Sequence, residues 1–135
     1  MREGFEEVEH TADVAICVWG GDLAELFANA AYGLACQLAE LDDVSLEFEH
    51  QIALEEPDVE TLLVSWLGEL LYLSERDKAV FTTFDIHTLE PTCLEATVRG
   101  GPMCEGRRAI KAVTFSELEI VETERGYETT VVFDV

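Results

Sequence analysis

Positive charge is scarce in this chain. Of its 135 residues, 8 are Lys or Arg and 29 are Asp or Glu, which gives a formal net charge of −21 at pH 7. Such a surface repels phosphates, so broad direct binding to RNA or DNA is not expected. The charge fits either an acidic face for a basic partner protein or a salt-rich cytoplasm that screens self-repulsion. Because the acids are spread along the whole chain, salt adaptation is favoured.

Metal-binding cysteine pairs and long apolar runs are also missing. The four cysteines contain no C-x-x-C pair, which argues against a zinc site of the usual kind: Cys17, Cys36, Cys93 and Cys104. Cys17 and Cys36 lie in apolar segments, where a small buried side chain fits. No run approaches the roughly 20 apolar residues of a membrane helix, and the acidic N-terminal stretch has no apolar signal-peptide region. The predicted compartment is the cytoplasm.

The common catalytic signatures are absent. The sequence contains no G-x-G-x-x-G or Walker lysine loop, no G-x-S-x-G elbow and no H-E-x-x-H pair. The absence of known catalytic machinery favours a protein that is not an enzyme.

Hydrophobic residues make up 48% of the chain, enough to fill a core, and the length suits one domain over residues 1–135. Residues 14–19 alternate as in a buried strand. Asp22 then predicts a helix start, with Glu25 completing a capping box, and apolar residues follow at helical spacing. Gly33 in this helix indicates close packing.

Residues 44–55 alternate strictly, which predicts a strand with one wet face and a satisfied, partly buried His50. A second helix is predicted from about Pro57 to about Ser74. The remaining β-branched and aromatic segments, with glycine-marked turns, predict only strands. We therefore expect an α+β domain in the order β-α-β-α-β-β-β-β, with two helices packed on one mainly antiparallel or mixed sheet.

Two carboxylates interrupt strand patterns. Asp13 precedes the first predicted strand, and Asp134 follows an apolar run in the last one, "TTVVFDV". An ionised carboxylate near a core needs compensation. Lys111 could supply it, local turns or caps could supply it, or a hard cation such as Ca²⁺ or Mg²⁺ could bind the two carboxylates with water and further oxygens. His10 and Thr11 adjoin Asp13. The stretch could carry out acid–base chemistry, or it could form a local turn.

Five segments in order resemble the archease family. They are "HTADVAI" (His10–Ile16), "GGDLAELFANAAYGL" (Gly20–Leu34), "DVETLLVSWLGELLYL" (Asp58–Leu73), "IKAVTF" (Ile110–Phe115) and "VVFDV" (Val131–Val135). Each segment alone is modest, but the order and spacing match over nearly the whole chain.

The resemblance implies an accessory protein of the RtcB-type RNA ligase, which joins tRNA halves. Such a protein promotes guanylylation of the ligase's active-site histidine, supports multiple turnover and can broaden nucleotide use. It meets tRNA only through the ligase. The alternatives are a general chaperone or assembly module with an acidic, metal-stiffened surface, and a small metal-dependent hydrolase using His10 and Asp13.

The resemblance also implies a metal site formed by Asp13, Asp134 and Val135, with Ca²⁺ as the expected ion and Mg²⁺ or Mn²⁺ as alternatives. His10, Thr11 and Lys111 become candidates for ligase contact or for support of the metal ligands. The chain departs from the family where histidines are common, since Ser116 and the pair Arg107 and Arg108 stand there instead. With the charge, the resemblance suggests a halophilic archaeal member.

If the acidic composition is salt adaptation, molar KCl should stabilise the fold because it screens repulsion among the carboxylates. We expect the melting temperature to rise between low and molar KCl, as measured by circular dichroism. A melting temperature that does not change with salt would contradict this explanation.

Overall fold

Both helices lie in the first part of the chain, each after a strand, and among the described residues only strands come after the second helix. The computed structural model describes residues 4–8, 13–42, 44–103, 106–116 and 118–135. In that part of the chain the elements are β1 (Phe5–Val8), β2 (Val14–Gly20), α1 (Leu23–Leu38), β3 (Phe48–Glu55), α2 (Val59–Asp77), β4 (Ala79–Glu90), β5 (Cys93–Pro102), β6 (Ala112–Thr114), β7 (Val121–Thr123) and β8 (Gly126–Asp134). The α+β class predicted from the sequence is confirmed.

The strands form two sheets, whereas the sequence pattern predicted one. A five-stranded sheet has the order β1-β2-β8-β6, with β7 also paired to β8, and a three-stranded sheet has the order β3-β5-β4. Every strand pair in the described residues is antiparallel. Residue patterns show that a strand exists but not which strand it pairs with, so the division into two sheets could not be predicted.

The two helices contact strands of both sheets and share one core with them. At its centre the fully buried Trp66 of α2 donates a hydrogen bond from Nε1 to the carbonyl of Phe27 in α1, at 3.0 Å. Gly33 lets α1 approach the five-stranded sheet, since a Cβ there would lie 2.7 Å from Ile16 Cδ1 and 3.1 Å from Phe5 Cγ. The close packing predicted for Gly33 is confirmed.

The start of α1 is as predicted. Asp22 is extended and accepts the Glu25 N–H at 2.8 Å, so one free backbone donor of the first turn is satisfied. The Glu25 carboxylate accepts the Gly21 N–H at 3.0 Å, one residue before the cap. This reciprocal bond ties the turn after β2 to the helix.

Helix α2 differs from the prediction at both ends. Its cap is Asp58, which accepts the Thr61 N–H at 2.8 Å, so Pro57 lies before the helix and not in its first turn. The helix runs past Ser74 to Asp77 and ends where Lys78 adopts a left-handed conformation with φ 50°.

Asp77, in the last turn of α2, forms hydrogen bonds with two side chains. One joins it to His50 at 3.0 Å and the other to the neighbouring Arg76 at 3.0 Å. His50 is thus partly buried and satisfied, as predicted.

Two strand predictions were wrong in extent, and one strand was missed. Pairing with β5 starts at Phe48, opposite Gly100, so residues 44–47 are not in a strand and Leu46 is exposed. The residue pattern also predicted a strand over residues 108–122, where the described residues form only β6 and the beginning of β7. Strand β1 was not predicted. In each case the limit is set by where a partner strand offers hydrogen bonds, which alternation does not reveal.

The Asp58 cap makes stability depend on pH, because accepting the Thr61 N–H lowers the pKa of the Asp58 carboxyl. A carboxyl with a lowered folded-state pKa stabilises above its unfolded pKa of about 4, and this contribution is lost as pH falls through the folded value. Asp58→Asn keeps a capping oxygen but cannot titrate. We expect wild type to exceed the variant in free energy of unfolding at neutral pH, and the difference to shrink as the pH falls below the unfolded pKa of about 4, as measured by urea titrations at several pH values. A difference that is constant with pH would contradict this assignment.

Candidate functional site

The central strand pair of the five-stranded sheet is β2 with β8. The pairing runs from Gly20 opposite Tyr127 to Val14 opposite Phe133. Along it, Ile16, Val131 and Phe133 belong to the core, and Ile16 faces α1 at Gly33. The apolar run of the C-terminal segment is therefore explained by burial in the middle of a sheet.

Continuing this register by one residue places Asp13 opposite Asp134. Side chains alternate along a strand, so both aspartates lie on the face opposite to Ile16. We call this face, which carries Trp19, Cys17 and Thr130, the outer face. Asp13 is half-buried and Asp134 is exposed. Two predicted site residues that are far apart in the sequence thus lie at neighbouring strand ends.

Two carboxylates at opposed positions of neighbouring strands repel one another, and such like-charged pairs destabilise a sheet. The repulsion falls if a cation binds between them. Ionised carboxylates offer acceptor oxygens only, which suits a hard cation. The two residue types at this strand end therefore suit a hard cation.

Lys111 lies beside this strand end through its backbone. Its N–H donates to the Asp134 carbonyl at 2.7 Å, and Ala112 pairs with Asp134 in the register of β6. The Lys111 side chain is exposed and forms no ion pair within the part of the chain that the structure describes. The backbone of Lys111 thus holds the end of β8, while the predicted charge compensation by its ammonium group is not seen.

A metal at this place would need more oxygens than two side chains supply. Among the described residues, no group of three or more His, Cys, Asp or Glu side chains could hold a metal ion. Calcium takes six to eight oxygen ligands in general, so Val135 and water would have to complete the set. Val135 follows Asp134 directly and is 40% exposed. The donor chemistry fits a hard cation, and the metal site stays a prediction.

Two of the other predicted site residues, His10 and Thr11, lie outside the described residues, as does Cys104. Cys17, Cys36 and Cys93 are free thiols. Burial raises the pKa of the Cys36 thiol, although Arg107 opposes the rise, and burial likewise raises the pKa of Cys17. A raised thiol pKa lowers the fraction of reactive thiolate, so these cysteines suit packing and not nucleophilic chemistry.

Arg107 and Ser116, which stand where the resemblance leads one to expect histidines, form local hydrogen bonds. The Arg107 guanidinium donates to the Cys36 carbonyl at 2.6 Å and lies 3.6 Å from a Glu40 carboxylate oxygen. Arg107 therefore provides a hydrogen-bond donor to a carbonyl in the last turn of α1, and it places a positive charge at the end of a helix that has no basic residue of its own there. The Ser116 N–H donates to Thr114 Oγ1 at 3.2 Å, in the turn after β6.

A pocket at the opposite end of β2 was not predicted. Trp19 is 41% exposed there, although alternation suggested that both faces of this strand were buried. The sequence feature that could have indicated this pocket is Trp19, a large aromatic residue at the end of the predicted strand, directly before the polar turn "GGD". None of the helices that the structure describes is long and apolar enough to cross a membrane.

The fold and site define a small α+β protein with two antiparallel sheets around two helices and a pair of aspartates at one end of the central strands. A sequence model of the archease protein family matches residues 5–135. The chain therefore belongs to the archease family.

Curated relatives and solved structures agree. The chain is 35% identical to the protein archease of Methanosarcina mazei, covering 97% of this chain and 95% of that protein. It is 38% identical to the protein archease of Saccharolobus islandicus, covering 97% and 98%. The solution structure of Methanobacterium thermoautotrophicum protein 1598 matches with a TM-score of 0.81 and 29% identity over 98% and 99% of the two chains. A crystal structure of an archease from Thermotoga maritima, described there as a possible chaperone, shares the fold, with a TM-score of 0.68 and 23% identity over 100% and 98%.

The aspartate pair can be tested by its effect on stability. With Ca²⁺ at about 100 times its dissociation constant, wild type should gain about 2.7 kcal/mol, and Asp13→Asn should gain much less because it offers one carboxylate fewer. Thermal melts of both proteins in chelator and in CaCl₂ measure the two gains. Equal calcium stabilisation of the two proteins would contradict the site.

Proposed function

We propose that this chain activates an RtcB-type RNA ligase in the cytoplasm and is not itself an enzyme. It promotes guanylylation of the ligase's active-site histidine, sustains multiple turnover and broadens nucleotide use. Membership of the archease family over residues 5–135 carries the proposal. The register of β2 and β8 supports it, because continuing that register by one residue would place Asp13 and Asp134 of the expected site side by side.

In this proposal Asp13 and Asp134 form the part of the protein that acts on the ligase. A bound Ca²⁺ would neutralise both carboxylates and link the start of β2 to the end of β8. The Lys111 N–H already holds the Asp134 carbonyl at 2.7 Å, so the end of β8 is fixed before a partner arrives. Such a preorganised acidic end is suited to enter the ligase's active-site region without losing shape.

The charge of the chain supports a protein partner. With a net charge of −21 it is repelled by RNA and attracted to basic protein surfaces, such as those of a nucleic-acid-binding enzyme. Association would be fast at low ionic strength and slower in salt. tRNA would be met only through the ligase.

Two other functions remain testable. A general chaperone or assembly role is favoured by the description of the Thermotoga maritima relative as a possible chaperone. A pull-down from cell extract separates this role from the proposed one, since a chaperone should capture many clients and an activator one dominant ligase. A metal-dependent hydrolase using His10 and Asp13 would be revealed by phosphodiesterase and nucleotidase assays of the purified protein.

The proposed function predicts the behaviour of ligation assays with catalytic amounts of ligase and excess broken tRNA. Wild-type protein should allow many turnovers per ligase, whereas Asp13→Ala should reduce product to the level of ligase alone. Glu95→Gln, an exposed change on β5 of the other sheet, removes a carboxylate far from the site and should stimulate like wild type.

Circular dichroism must show that Asp13→Ala is folded, and its stability should be close to that of wild type. Full stimulation by Asp13→Ala would contradict the role of the aspartates. Absence of stimulation by wild type would contradict the proposed function itself.

A further inference from the structure

The end of the β2–β8 pair that lies away from the aspartates carries a pocket of about 380 Å³. Its wall is formed by Trp19 near the end of β2, Gly21 after β2, Glu25 in the first turn of α1, and Arg125, Tyr127 and Glu128 from the β7–β8 hairpin. Trp19 is six residues from Asp13 along the chain, a distance of about 20 Å at about 3.3 Å per residue. The pocket is therefore separate from the aspartate pair.

Close backbone approaches build this pocket. Gly126 has φ 135°, and a Cβ there would lie 2.2 Å from the Gly20 carbonyl oxygen. A Cβ on Gly20 would lie 2.4 Å from the Leu26 nitrogen. These two glycines bring the hairpin, the end of β2 and the start of α1 together, and the gap between them is the pocket.

The side chains of the pocket combine an aromatic surface with carboxylates. Trp19 is 41% exposed, and Glu128 lies directly opposite it in the register of β2 and β8. The Glu25 carboxylate is held toward the turn by the Gly21 N–H at 3.0 Å. A guanidinium group can stack on an indole ring and bind carboxylates through its planar array of N–H donors.

We infer that this pocket receives an arginine side chain of a protein partner. The two carboxylates and the net charge of −21 select a cation, and the exposed indole favours a planar guanidinium over an ammonium group. Arg125 places one positive charge at the same pocket and forms no ion pair among the described residues. It therefore opposes the incoming cation and limits its affinity.

The inference does not need the proposed function, since any partner with an exposed arginine would serve. If the partner is the ligase, the pocket supplies a second contact at the other end of the β2–β8 pair from the two aspartates. Two contacts at the ends of one strand pair would set the orientation of the partner, because each restricts rotation about the other.

Trp19 supplies the signal for a direct test. The chain has two tryptophans, and Trp66 is fully buried, so ligand-dependent changes in emission report on Trp19. The probe is a capped Gly-Arg-Gly peptide, and its control is the same peptide with citrulline, which has the same shape without the charge. We expect a saturable change with the arginine peptide and none with citrulline.

Variants locate the binding. Glu128→Gln should lower the affinity for the arginine peptide roughly threefold to fivefold, as expected for loss of an exposed ion pair. Arg125→Gln should raise the affinity by a similar factor because it removes a like charge from the pocket. Gly21→Val should block it, because a Cβ at Gly21 meets only a Glu25 carboxylate oxygen, at 3.8 Å, so a larger side chain grows into the pocket. Glu95→Gln, with the same charge change on the other sheet, should bind like wild type.

Three outcomes would overturn the inference: equal binding of the citrulline peptide, equal weakening by Glu95→Gln and Glu128→Gln, or tighter binding of guanosine monophosphate than of the arginine peptide. The last result would mean that the indole stacks on bases and that Arg125 binds phosphate. Peptide binding without ligase stimulation would leave the inference standing and would contradict only the proposed function.

Discussion

The antiparallel pairing of β2 with β8 is the constraint on which the rest of the structure depends. It joins a strand near the N-terminal end to the last strand and occupies the middle of the five-stranded sheet. β1 and β6 add to its two edges, and β7 extends it through the hairpin. Its inward side chains pack against α1, so the register of this one pair also determines what the outer face presents.

That register determines which side chains stand at each end of the strand pair. At one end it places Asp13, just before β2, next to Asp134 at the end of β8. At the other end Trp19 opposes Glu128 beside the turn into α1. Both ends carry carboxylates, and the strand pair between them lies in the middle of the sheet. A molecule of this kind presents two fixed acidic contacts and is suited to act on a partner protein.

Local structure was predictable wherever a few neighbouring residues determine it. The Asp22 cap with Glu25 and the apolar face of α1 agree with the structure because each depends on residues a few positions apart. His50 is partly buried and satisfied as predicted, but its partner Asp77 lies 27 residues further along the chain and could not be identified from the sequence. The extent of β3 and the breaks between β6 and β7 were not predictable. A strand lasts only as long as its partner offers hydrogen bonds, and alternation continues beyond that point.

By itself the sequence determined the two helices and the Asp22 cap, the strongly acidic composition, and the segments shared with the archease family. Only the tertiary structure decided that the strands form two sheets, that Asp13 and Asp134 lie at neighbouring strand ends, and that Trp19 lies beside Glu128 in a pocket. The physical reason is that helix formation is governed by contacts three or four residues apart, whereas strand register joins residues from opposite ends of the chain.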